Sequence, residues 1–98
     1  MDKQEVIARL HECEAELRAR GVRHAALFGS VARGTARSGS DIDIMIDIDA
    51  DAVNDVYTYV GLINYVASLF PGPVDVIDRE SLKPHIRPPA EADAVYAF

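Results

Sequence analysis

Leu27-Phe-Gly-Ser-Val-Ala-Arg-Gly-Thr-Ala-Arg-Ser-Gly-Ser-Asp-Ile-Asp-Ile-Met-Ile-Asp-Ile48 is the stretch on which the reading of this chain turns. From Asp41 the residues alternate strictly. Ile42, Ile44, Ile46 and Ile48 fall on one side, and Asp41, Asp43, Met45 and Asp47 on the other. Period two with β-branched residues on one side predicts a strand. Residues two apart on a strand point the same way, with Cα atoms roughly 6.6 Å apart. The carboxylates of Asp41 and Asp43 can therefore converge on one cation or on a pair. Like charges side by side cost stability unless something positive lies between them. An oxygen-only ligand set favours a hard ion such as Mg²⁺, which completes its shell with water and phosphate.

Upstream, Val22–Phe28 is a short apolar run that ends at Gly29-Ser30, as a strand entering a helix start would. Glycine lets a phosphate approach the backbone closely, serine adds a hydroxyl, and the first amides of a helix favour an anion. Ser30 is expected to cap a short helical turn reaching Arg33 or Arg37. Taken alone, an Asp-x-Asp pair is most often a solvated strand face, and Gly-Ser before a helix is most often a turn. A triphosphate tail held at the bend could reach metals held by the two aspartates.

Outward from this stretch, Lys3–Arg20 is expected to be one helix with Val6, Leu10, Cys13 and Leu17 on its apolar stripe and Gly21 as its stop. Val53–Phe70 is expected to be a second long helix, its core stripe made by Val53, Val56, Val60, Ile63, Ala67 and Phe70. Tyr57, Tyr59, Leu62, Tyr65 and Leu69 add apolar surface beyond that stripe, either for ordinary packing or for a protein interface. Pro71-Gly72-Pro73 ends the helix and Val74–Asp78 reads as a third strand. The tail from about residue 80 carries Pro84, Pro88 and Pro89, then a candidate edge strand over Ala94–Phe98. The order predicts an α/β (α+β) fold, in which a small mixed sheet of three to four strands has helices on its isoleucine face and an open aspartate face.

The 98 residues are expected to form a single domain, 49% hydrophobic and 27% charged. A formal charge of −6 argues against direct nucleic-acid binding and suits an acidic metal site or a basic partner. With Cys13 alone, and His11, His24 and His85 at no ligand spacing, nothing suggests zinc. The charged N-terminus is not a signal peptide and Val53–Phe70 is too polar to span a bilayer, so a reducing, cytoplasmic location is expected. Asp47, Asp49 and Asp51 extend the alternation but make no calcium loop, because Ala52 and Thr58 stand where glycine and glutamate are required. They read as a charged strand end and helix approach.

Gly29-Ser30, ten intervening residues and Asp41-Ile42-Asp43, with Ala32-Arg33-Gly34 and Ser40 between, resemble the signature of the polymerase-beta-like nucleotidyltransferases. The resemblance spans about residues 3 to 78 and is greatest to their minimal branch, the antitoxins of HEPN-family toxins. It implies that Asp41, Asp43 and a third strand aspartate bind two Mg²⁺ ions. The residue matching the third is Asp75, with Asp78 a rival at the strand end on the opposite face. Gly29, Ser30, Arg33 and Ser40 would serve the nucleotide, Arg37 less directly. The implied reaction moves AMP from ATP to a tyrosine of a HEPN toxin and inactivates it. Neutralisation by binding alone, or transfer to a small molecule or RNA, are the alternatives. The chain departs from the family in its tail, where Pro88-Pro89 would interrupt the helix that usually precedes the last strand.

Overall fold

In the computed structural model, which describes residues 2–35, 41–81 and 94–98, the isoleucine run forms a central strand. The elements in chain order are α1 (Lys3–Glu12), α2 (Glu14–Ala19), β1 (Val22–Phe28), α3 (Gly29–Arg33), β2 (Ile42–Ile48), α4 (Val56–Ser68), β3 (Val74–Asp78), a 3-10 turn (Arg79–Ser81) and β4 (Val95–Tyr96). The four strands make one mixed sheet in the order β3-β2-β1-β4. β1 runs antiparallel to β2, placing Leu27 opposite Ile44 and Ala25 opposite Ile46. β3 runs parallel to β2 and sets Asp75 beside Asp43. A parallel neighbour needs a crossover, and α4 supplies it.

All four helices contribute to the isoleucine side of the sheet, as expected. Ala25, Leu27, Ile42, Ile44 and Ile46 form one core with Val6 and Leu10 of α1, Leu17 of α2, Val31 of α3, and Leu62 and Val66 of α4. Each fully buried aliphatic side chain there contributes about 1.5–3 kcal/mol. Arg9 of α1 donates to the Leu69 carbonyl at 2.7 Å and ties the first helix to the end of α4.

Three expectations are corrected. The first helix is not continuous: Cys13, at φ −95° and ψ 7°, leaves helical geometry and separates α1 from α2. Leu17 joins the core together with Val6 and Leu10, and Cys13 itself stays half-buried against that core. The second long helix is shorter than Val53–Phe70, because Asp55 caps it by accepting the Thr58 N–H at 2.8 Å. Its buried face is also different. Leu62 and Val66 face inward while Val56 and Val60 are exposed. Finally, the aspartate side of the sheet is open at one end rather than throughout. Met45, held between Ala26 on β1 and Ile77 on β3, is buried, as is Ala26. No helix among the described residues is long and apolar enough to cross a membrane.

Candidate active site

The site begins where β1 ends. Phe28 is fully extended, and Gly29 then turns to φ +75° to open α3. That torsion is strained for any residue with a Cβ. Space forbids a side chain as well: a Cβ on Gly29 would run into Oδ2 of Asp43 and stand 3.0 Å from its Cγ. The backbone of the glycine bend therefore lies directly against the central carboxylate. α3 is closed at its other end by a Schellman pair, in which Gly34 donates to the Val31 carbonyl (3.2 Å) and Thr35 to the Ser30 carbonyl (2.9 Å). A loop pinned at both ends holds its position.

Ser30 does not cap α3 as expected. The capping position falls on Phe28, which has no side-chain oxygen, and no side chain caps this helix. Glycine's left-handed torsion starts the helix at Gly29, two residues earlier than a serine cap would. Ser30 sits half-buried in the first turn, and among the described residues no side-chain cap serves the early amides of α3, an arrangement suited to an oxyanion.

The carboxylates meet on the opposite side of Gly29. Asp43 is half-buried, Asp75 and Asp41 are exposed. Loss of solvent raises the Asp43 pKa above its ordinary 3.8, and the negative charges of Asp75 and then Asp41 raise it further, while the Arg33 guanidinium pulls it down. The three acids and Arg33 thus form one electrostatic neighbourhood, with a net negative field at its centre. Asp78 lies elsewhere. It stands beside Ile46, on the isoleucine side, and its charge raises the pKa of the Tyr59 phenol on α4, after the larger effect of that phenol's burial. The geometry groups Asp75, not Asp78, with Asp43. Ser40 and Arg37 lie outside the described residues.

An all-oxygen donor set whose members repel one another suits a divalent cation, and magnesium in particular. Among the described residues no three acidic, histidine or cysteine side chains already stand as a ready ligand cluster. A cation bound there would offset the mutual repulsion of Asp41, Asp43 and Asp75.

The far end of the same sheet face holds a group that the sequence reading did not identify. Arg79 meets Asp47 at 3.5 Å, and the His24 and Tyr96 rings meet edge to face at 6.3 Å. With Phe98 these residues line a cavity of about 480 Å³. Asp47 was legible only as a charged strand end, because its partner comes from the turn after β3.

A loop of this shape against paired strand carboxylates has a counterpart among known proteins. The family described as "Nucleotidyltransferase domain" matches residues 10–97. The chain belongs to this family. The nucleotidyltransferase is 33% identical over 94 residues to the protein adenylyltransferase MntA of Thermococcus cleftensis, covering 95% of this chain and 93% of that one. It superposes on a protein assigned as a minimal nucleotidyltransferase with a TM-score of 0.78 at 26% identity, over 97% and 95% of the two chains. Two toxin–antitoxin structures share the nucleotidyltransferase fold. One holds AMP-PNP (TM-score 0.67, 24% identity, 90% of this chain and 72% of that one). The other pairs a tri-AMPylated Shewanella oneidensis HEPN toxin with an MNT antitoxin (0.60, 21%, 90% and 68%).

Proposed function

We propose that this nucleotidyltransferase is a magnesium-dependent protein adenylyltransferase that moves AMP from ATP to a tyrosine of a HEPN-family toxin and thereby acts as its antitoxin. The observation that carries the reading is the register that sets Asp75 beside Asp43, with Gly29 packed against the Asp43 carboxylate. Support also comes from the relative called protein adenylyltransferase MntA and from the folds shared with antitoxins bound to toxins.

Asp41, Asp43 and Asp75 would hold two Mg²⁺ ions. Bound there, the metal would neutralise the triphosphate and lower the pKa of an acceptor hydroxyl. The chain's own groups do the rest. The amides opening α3 and the Ser30 hydroxyl seat the phosphates, and Arg33 adds positive charge beside them. The tyrosine oxygen bonds to the α-phosphorus as the bond to pyrophosphate breaks, and the phenolic proton passes to exposed Asp75. Positioning and charge neutralisation account for most of the rate in such transfers.

The test is incubation with Mg²⁺, ATP and a HEPN-family toxin from the same genome, followed by intact mass. The toxin should gain adenylyl groups as pyrophosphate appears. Asp75→Asn should lower the rate about 10²–10³-fold, as removal of one electrostatic stabiliser does, whereas Asp78→Asn, on the other side of the sheet, should leave it within about twofold. Equal effects would place the third carboxylate wrongly. A second reading, neutralisation by contact alone, is favoured by the exposed apolar residues of α4. It wins if Asp43→Asn silences the toxin as well as wild type with no change in mass.

A further inference from the structure

Three of the four large apolar side chains exposed among the described residues lie in the first half of α4. Val56 is 65% exposed, Tyr57 87% and Val60 48%. Spacings of three and four put them on one side of the helix with Gly61. Gly61 is exposed, and a Cβ there would meet nothing within 4 Å. Glycine inside a helix is destabilising, and nothing among the described residues requires it at this position. Gly61 also lines a recess of about 310 Å³ together with Ala19, Arg20, Ala52, Thr58 and Leu62. The start of the face is bordered by acids. Asp55 caps α4 and Asp51 is exposed in the loop before it, whereas Arg20, which lines the recess, is already engaged by Glu16 at 2.9 Å and by the Tyr65 ring at 3.9 Å.

We propose that the Val56–Tyr57–Val60–Gly61 face is the anchoring surface for the toxin, which presents an apolar helix edge bordered by lysine or arginine. This rests on the partner named in the preceding reading. Tyrosine is a favoured anchor at interfaces, and a missing Cβ lets a partner backbone come close. A second copy of this chain fits less well, because it would bring a chain of formal charge −6 against another, acidic border to acidic border. α4 packs on the isoleucine side and begins at the end of the sheet remote from Asp43, so anchoring leaves the carboxylates free. Docking and transfer then separate kinetically.

Titration calorimetry of the full chain with a HEPN-family toxin from the same genome tests this, alongside turnover. Tyr57→Ala should weaken binding about thirtyfold, the scale of an interface hot spot. It should raise KM for the toxin correspondingly and leave kcat and Mg-ATP affinity unchanged. Gly61→Ala should melt higher than wild type when alone, yet bind the toxin more weakly. A structural glycine would do neither. Binding within about twofold of wild type for both variants overturns the proposed surface. So does self-association of wild type that Tyr57→Ala abolishes without affecting toxin binding. Failure of wild type to bind any toxin overturns the partner reading and the surface together, whereas binding that the variants leave intact overturns the surface alone.

Discussion

Asp43→Asn is expected to lower kcat for adenylyl transfer by about 10²–10³-fold or more, the scale on which loss of one preorganised electrostatic group is felt. It is also expected to make the metal-free chain harder to melt. Asp43 is the carboxylate at the centre: half-buried on β2, beside Asp75 and close enough to Asp41 to feel its charge. Its pKa in the folded chain is raised, first by burial and then by those two neighbours. The folded chain therefore holds the Asp43 proton more tightly than the unfolded chain does. The penalty for ionising it in place is absent below the unfolded value of 3.8, grows as pH rises toward the folded pKa, and is complete once pH exceeds it. Asparagine removes the penalty. Without divalent cation the variant should melt above wild type at pH 7, and the difference should vanish below about pH 4. With Mg²⁺ and ATP present the order should reverse, because only wild type gains stability from binding. Calorimetric melts at two pH values, with and without magnesium, check each limb. A variant less stable than wild type in metal-free neutral buffer would contradict the electrostatic account.

Gly29→Ala is expected to cost both stability and activity. The backbone at φ +75° imposes about 1–2 kcal/mol on a residue with a Cβ. The new methyl group also occupies the place of Asp43 Oδ2. A short carboxylate can swing aside, so the chain should still fold. The carboxylate then points away from the phosphate bend, and a displacement of about 1 Å at such a site can cost 10²-fold in rate. Urea unfolding should show the first loss and kcat/KM the second. Gly34→Ala supplies the contrast. It has the same positive φ, but among the described residues its Cβ would meet nothing within 4 Å, so stability should fall while kcat/KM stays near wild type. If Gly29→Ala turned over as fast as wild type, the contact between loop and carboxylate would have no catalytic meaning.

What could be read from residues alone divides along physical lines. The strands were legible because alternation on a half-buried sheet is a short-range pattern: Val22–Phe28 and Val74–Asp78 match their observed bounds, and the isoleucine run starts one residue later than Asp41. Asp75 could be grouped with Asp43 rather than Asp78 because strand periodicity separates the faces. The helices were less legible. α4 carries apolar residues around most of its circumference, so Val56 and Val60 looked as suitable for the core as Leu62 and Val66; only the sheet beneath decides. The interruption at Cys13 has no glycine or proline to announce it. Ser30 looked like a cap because serine prefers that role, but Gly29 adopts the left-handed torsion and takes the helix start. Met45 looked solvent-facing by alternation and is buried because it lies on the central pair of strands, with Ala26 and Ile77 at its sides.

The pairing of β2 with β3 has a consequence for how the chain comes together. Gly29 and Asp43 meet across a hairpin, a contact that closes early and at modest entropic cost. Asp75 arrives only after the whole α4 connection has condensed, and non-local parallel pairing of that kind is slow to establish. Nascent or partly unravelled molecules would thus possess the phosphate bend and two acids yet lack the third. On the proposed function, competence for chemistry would be a property of the completed topology, and incompletely assembled chains would be inert.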